Sequence, residues 1–187
     1  MAVTAITGDV GSGKSTAAKI LAGMLGCERF DADGTAKSMW LRDDVKAKAV
    51  SRWGSEILDA SGKIVLSRIA ERIFSAKSES DFCNGLIHPL VMAELRENTR
   101  NLSTAVLEIP LLPEAGRPEW IDRAIYVTAD FSLRAARCES QRGWSVDELK
   151  RREGLLLPQS VRMSVCERII HNDSNIHELE RKIEEII

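Results

Sequence analysis

Five short runs along the chain read as strands: Val3 to Thr7, Cys27 to Phe30, Ala105 to Ile109, Ala124 to Thr128 and Arg168 to His171. The first is apolar or β-branched throughout and stops at Gly8, the pattern of a strand buried on both faces. From Ser15 to Leu25 the residues Ala17, Ala18, Ile20, Leu21, Met24 and Leu25 recur at helical spacing, and Gly26 supplies the stop. The later runs are separated by helical or polar stretches. This alternation predicts an α/β fold with a parallel five-stranded sheet.

The stretch from Asp33 to about Thr104 is helical in pattern, broken at Gly54, Gly62 and Pro89, and too long for a simple crossover between neighbouring strands. It is expected to be an inserted helical subdomain over about 34–104. A second insertion, a basic lid over about 138–165, is expected later, and Asn175 to Ile187 reads as a closing amphipathic helix. The whole is one domain, 1–187.

Charge and composition narrow the function. Lys and Arg number 26 against 28 Asp and Glu, a net charge of −2, so no global positive field is available to hold nucleic acid. No window reaches the roughly 20 apolar residues of a membrane helix, and the start Met-Ala-Val-Thr-Ala-Ile-Thr lacks the charged flank of a signal peptide. No membrane association and a cytoplasmic location are expected. Cys27, Cys83, Cys138 and Cys166 are widely spaced and form no zinc or redox motif. The exception to the even charge is local: Arg134, Arg137, Arg142, Lys150, Arg151, Arg152, Arg162 and Arg168 face only five acids between positions 134 and 168.

Chemistry enters at Gly8-Asp9-Val10-Gly11-Ser12-Gly13-Lys14-Ser15, which fits G-x-x-x-x-G-K-[ST] and is followed by Thr16. Its place between strand and helix matters more than its letters. Gly8, Gly11 and Gly13 allow the loop's peptide N–H groups to turn toward phosphate oxygens, and the helix beginning near Lys14 adds its positive dipole end. Lys14 is expected to bridge the β- and γ-phosphates of ATP and the Ser15 hydroxyl to ligate Mg²⁺, with Gly11, Ser12, Gly13 and Thr16 completing the ATP site. Such a loop serves several enzyme classes. The chain has no Asn-Lys-x-Asp motif of a GTPase, whereas an acceptor-binding insert and a basic lid are what a small-molecule kinase needs to hold an acceptor and exclude water. A non-catalytic ATP-binding module is the alternative from another class. Asp31-Ala32-Asp33 follows the second run, where a carboxylate can accept the proton of an attacking hydroxyl. On extended backbone the two side chains point to opposite sides, so Asp33 is assigned to the acceptor and Asp31 to the following helix.

Together these residues resemble the dephospho-CoA kinases. The resemblance spans nearly the whole chain: the loop from Thr7 to Thr16, Asp31-Ala32-Asp33, Trp53-Gly54, Ile57-Leu58, Ser61-Gly62, Ile73-Phe74, Ile87-His88-Pro89-Leu90-Val91, Ile109-Pro110-Leu111-Leu112-Pro113-Glu114, Arg137 and Asn172. It implies a three-layer P-loop nucleotide-kinase-like fold and transfer of the ATP γ-phosphate to the ribose 3′-hydroxyl of dephospho-CoA, with Mg²⁺ as cofactor, in a monomer or small homo-oligomer. By position it makes Asp33 the general base and Arg137 a lid cation that reaches the nucleotide, with Arg142 a further ATP contact. His88 and Pro89 fall on the acceptor side with Asp31, and Glu108, where the family usually has aspartate, is expected near the acceptor and, through water, near Mg²⁺.

Several positions depart from the family's pattern. Asp9 stands where glycine is usual, and its carboxylate must turn toward the acceptor side or toward cations to avoid repelling polyphosphate. Val65-Leu66 replaces an Asp-Arg pair, so Arg68, two residues later, Arg72 or Lys63 is the candidate for the acceptor's diphosphate. In the lid the family's glutamine position falls near Leu157, with Gln159 displaced. Another small P-loop kinase acceptor is the alternative these departures leave open.

Overall fold

Residues 2–187 are described in a computed structural model; Met1, the first residue of the expected domain, lies outside them. Strands β1 (Ala2–Gly8), β2 (Glu28–Asp31), β3 (Thr104–Glu108), β4 (Arg123–Thr128) and β5 (Arg168–His171) form one sheet in the order β2-β3-β1-β4-β5. Every pairing is parallel. With its flanking helices this is the α/β architecture expected from the alternation of the runs. β1 is central and buried at every position after Ala2, as its unbroken apolar run requires.

Helix α1 (Lys14–Leu25) leaves β1 through the glycine loop and ends at Gly26, whose left-handed conformation closes the last turn. Its buried face, Ala17, Ala18, Leu21 and Ala22, packs with Ile6, Val106, Ile125, Val127 and Ile170 of the sheet and with Leu179 and Ile183 of α10 (Ile176–Glu184). Truncating Ile6, which is 1% exposed, to Ala would cost about 2–5 kcal/mol by leaving a cavity the core cannot close. The closing helix starts one residue later than its pattern suggests, because Asn175 is its cap and accepts the amide of Glu178.

The described chain divides into two compact units, 2–31 with 98–187 and 32–97. The second is helical: α2 (Ala32–Met39), α3 (Asp43–Trp53), a 3-10 turn (Ser55–Ile57), α4 (Leu66–Ile73) and α5 (Lys77–Thr99), the last running on into the first unit. Its aromatic centre sets Trp40 and Trp53 with ring centroids 6.3 Å apart, and Phe82 meets Trp53 edge-on at 5.2 Å. Pro89 lies inside α5 and removes one rung of its hydrogen-bond ladder. The sheet unit adds α6 (Leu112–Ala115), α7 (Phe131–Arg142), α8 (Val146–Glu153) and α9 (Gln159–Ser164). No helix among the described residues is long and apolar enough to cross a membrane.

Candidate active site

The connections leaving β1 and β3, which are neighbours in the sheet, diverge to β2 on one side and β4 on the other, so a crevice opens at their carboxyl ends. The glycine loop fills this position. At Gly8 (φ +143°) a Cβ would lie 1.9 Å from the Val127 carbonyl oxygen, and at Gly13 (φ +92°) it would lie 2.5 Å from Asn172 Nδ2. Only glycine fits either place. Gly13 also caps α1, and no side chain takes that role.

The loop's carbonyls are held from the protein side. Lys14 Nζ donates to Gly8 O at 3.2 Å and to Asp9 O at 2.7 Å. Arg134 Nη1 donates to Val10 O at 3.2 Å, while Asn172 Nδ2 and Arg137 Nη1 share Ser12 O at 2.8 and 3.5 Å. With its carbonyls anchored this way, the loop has the form of an anion nest, and the positive end of α1 points at the same spot. The Ser12 hydroxyl is fully buried in this nest without a hydrogen-bond partner among the described residues.

Beside the lysine, Ser15 Oγ donates to Glu108 Oε1 at 2.5 Å, and Arg29 Nη1 of β2 binds Glu108 Oε2 at 2.8 Å. Glu108 is 6% exposed at the end of β3, in register with Ile6 of β1 and Asp31 of β2. A hydroxyl and a carboxylate are hard oxygen donors, and two of them suit Mg²⁺, which keeps most of its shell for water and substrate phosphates. Ser15 and Glu108, 93 residues apart, are thus brought together. The Arg29 partnership was not expected, since nothing in Cys27-Glu28-Arg29-Phe30 distinguishes a strand arginine aimed at a neighbouring strand's carboxylate from a solvated one. Thr16 follows Ser15 in the first turn of α1 and is exposed.

The side chains of the basic stretch divide between the glycine loop and an aromatic ring. Arg137 lies in α7, with Nη2 on Asn172 O at 3.0 Å and Nη1 on Ser12 O, so it is already docked at the loop instead of arriving from a lid. The physical reason is that α7 begins directly after β4 and carries Arg134 and Arg137, one turn apart, to the loop. Arg134 is 6% exposed and also donates to Ala129 O at 2.9 Å and pairs with Glu153 of α8. Arg142 ends α7 and stacks on the Trp144 indole at 4.9 Å, an arrangement shared by Arg152 at 4.0 Å.

Asp9 resolves its conflict with polyphosphate by turning to a cation. It is 1% exposed and paired with Arg162 of α9 at 2.9 Å. Burial works to raise its carboxyl pKa, but hydrogen bonds from Thr128, Tyr126 and Gln159 and the nearby charge of Arg134 outweigh it and hold the group below the ordinary value. Burial, together with this contact with Asp9, pushes the Tyr126 phenol well up. Glu114 Oε1 accepts the Leu157 amide at 3.1 Å, so the loop after α8 is tied back to α6.

The acceptor candidates divide. Asp31 closes β2 in the sheet unit, whereas Asp33 belongs to the helical unit, in the first turn of α2. The extended backbone assumed for the pair ends at Asp31; helix starts at Ala32, so alternation does not set the direction of Asp33. Arg68 Nη1 donates to Glu56 O at 3.0 Å and Leu58 O at 2.6 Å, holding carbonyls the 3-10 turn leaves without a partner, and this fastening competes with the diphosphate role expected of it. His88 is half-buried in α5, next to Pro89, and burial lowers its pKa.

A parallel sheet whose central strand runs into a lysine-headed glycine loop, with a serine and a carboxylate beside it, defines a P-loop phosphotransferase. The family model for dephospho-CoA kinase matches residues 2–178, and the chain belongs to that family. It is an ATP-dependent kinase, and the reaction of its family is the phosphorylation of dephospho-CoA in coenzyme A biosynthesis. A dephospho-CoA kinase of Methylococcus capsulatus is 32% identical over 187 residues, covering 98% of this chain and 94% of its own. One of Chlorobaculum tepidum is 34% identical over 194 residues, covering 97% and 91%. A solved structure from Thermus thermophilus superposes with a TM-score of 0.79 at 27% identity, over 99% of this chain and 95% of its own.

Proposed function

We propose that this chain transfers the γ-phosphoryl group of ATP directly to the ribose 3′-hydroxyl of dephospho-CoA, with Asp33 as the proton acceptor. The observation that carries this reading is the Lys14-headed loop with the Ser15–Glu108 pair beside it. The new P–O bond forms to the 3′-oxygen as the bond to the β–γ bridging oxygen breaks. ADP leaves, and the hydroxyl proton passes to the Asp33 carboxylate and on to water. No covalent intermediate on the protein is needed, since positioning and charge stabilisation supply most of the catalysis in this class.

Lys14 and Arg137 spread the charge of the transferring group, while Gly8, Gly11, Ser12, Gly13, Ser15 and Thr16 hold the polyphosphate. Ser15 and Glu108 would hold Mg²⁺, which when bound neutralises charge on the β- and γ-oxygens. Asp31, His88 and Pro89 are assigned to the acceptor. Arg68 joins them through guanidinium nitrogens other than the one that fastens the turn. A cytoplasmic location and a monomeric or small homo-oligomeric state belong to the same reading.

ADP release from ATP·Mg²⁺ is the test, with dephospho-CoA run beside AMP, shikimate, gluconate and an acceptor-free control. Strong release with dephospho-CoA alone is expected, and preference for another acceptor refutes the substrate. Asp33→Asn should lower kcat by about 100- to 10,000-fold with ATP affinity nearly intact, the size of a lost general base. Near-normal kcat in that variant refutes the role of Asp33.

A further inference from the structure

Asp9 puts a carboxylate inside the phosphate loop, and the transfer reaction has no use for it. Four donors hold it, two to each oxygen: Tyr126 Oη at 2.7 Å and Arg162 Nη2 at 2.9 Å on Oδ1, Thr128 Oγ1 at 2.5 Å and Gln159 Nε2 at 2.7 Å on Oδ2. Of these only Arg162 brings a full charge. It is 5% exposed, its Nε is fixed by Leu157 O at 3.0 Å, and its guanidinium centre lies 5.7 Å from the Tyr126 ring. Gln159 and Arg162 are three apart on α9 and so share a face.

The main chain of Asp9 belongs to the loop proper. Its N–H donates to Val127 O at 3.1 Å, and its carbonyl accepts both Lys14 Nζ and the Ser12 amide. The residue gripped by α9 through its side chain therefore also seats the lysine of the loop through its backbone. Without Arg162 the carboxylate would keep only the more distant charge of Arg134 and would oppose polyphosphate, and the low dielectric of a buried site would screen it poorly.

We propose that Arg162 is a positioning residue for the nucleotide: by cancelling the Asp9 charge beneath the phosphate loop, with Gln159 completing the grip, it sets the affinity for the polyphosphate of ATP. The inference rests on the assignment of the loop as the ATP site. It makes the arginine necessary only because the aspartate is there, and that dependence separates it from a packing role.

Equilibrium binding of ATP and of adenosine tests it, across the wild type, Arg162→Gln, Asp9→Asn, the double variant and Arg162→Lys. Arg162→Gln should weaken ATP about tenfold or more while adenosine binding changes little, because the penalty acts on charge. Adding Asp9→Asn should restore ATP affinity to within about threefold, although one more native side chain has been lost. Asp9→Asn alone should bind ATP at least as tightly as the wild type, since it leaves a net cation under the loop. Arg162→Lys keeps the charge and, should Arg162→Gln not fold, carries the test: ATP affinity within about threefold supports the proposal, and a tenfold loss overturns it. Equal weakening of ATP and adenosine in Arg162→Gln, no rescue in the double variant, or weaker ATP binding in Asp9→Asn would each overturn the proposal while leaving the loop assignment standing. Failure of the wild type itself to bind ATP would overturn both.

Discussion

The glycine loop and the surface ion pairs of the helical unit use arginine in opposite ways. In the sheet unit Arg134 and Arg162 are buried, Arg137 is half-buried, and their partners are main-chain carbonyls and the enclosed carboxylates of Asp9 and Glu153. In the helical unit Arg42, Arg52 and Arg72 stand 44–50% exposed, paired with Asp44, Glu79 and Glu56. Even the cleft of about 700 Å³ in that unit, lined by Arg52, Trp53, Glu56, Arg72, Ser75 and Glu79, has its charges already matched in pairs. Removing a guanidinium from water is costly unless every donor finds a partner, so the buried arginines mark where a backbone must keep one shape. The exposed pairs are surface electrostatics of modest worth.

The contrast can be broken or sharpened in order of expected effect. Lys14→Ala should reduce kcat by about 100- to 1,000-fold, the range found for a lost charge-stabilising donor, as read by steady-state ADP production. Arg137→Ala removes two donors from the anchoring of Ser12 and Asn172; at about 1.5–3 kcal/mol for charged hydrogen bonds, it should lower kcat/KM for ATP by about 10- to 100-fold. Arg72→Ala in the helical unit should leave kcat unchanged and shift unfolding in urea by less than about 1 kcal/mol. A large effect there, or none at Arg137, would erase the distinction between the units.

The smallest effect concerns pH. Burial disfavours His88 as a cation in the folded state, so its folded pKa lies below the ordinary imidazole value. Stability associated with it is fully present above that value and is lost as pH falls through the folded pKa, where the unfolded chain binds the proton more readily. His88→Gln should flatten this acid limb in urea titrations taken between neutral and mildly acidic pH, and an unchanged limb would remove His88 as its source.

Much of the sheet unit was legible because its signals are local. Val3 to Thr7, the glycines and the Ala17 to Leu25 pattern lie side by side in the chain, and each is dictated by backbone sterics or by a single helical face. The Ser15–Glu108 pair was within reach because each residue sits at a predictable element end. The contacts of Arg134 with Val10 and of Arg162 with Asp9 span 124 and 153 residues, and among eight basic residues between 134 and 168 nothing local separates those that turn inward from Arg142, which rests on Trp144. Asp33 was placed by alternation on a strand that had already become helix, because Ala32 begins α2 where only a continuing strand had been assumed. Gln159 looked displaced in the chain and proves to be a partner of Asp9 in space.

The aromatic centre of the helical unit has an optical consequence. At 6.3 Å with a 38° tilt, the Trp40 and Trp53 indoles are close enough for their electronic transitions to couple, and a coupled pair in a fixed chiral arrangement gives a bisignate circular-dichroism band that a lone indole does not. Trp144, lying against the guanidinium groups of Arg142 and Arg152, belongs to the other unit. Loss of the couplet on heating or in denaturant therefore follows the helical unit alone, and the fluorescence of Trp120 and Trp144 in a Trp40→Phe, Trp53→Phe variant follows the sheet unit. The two readouts together show whether the halves unfold together or in turn.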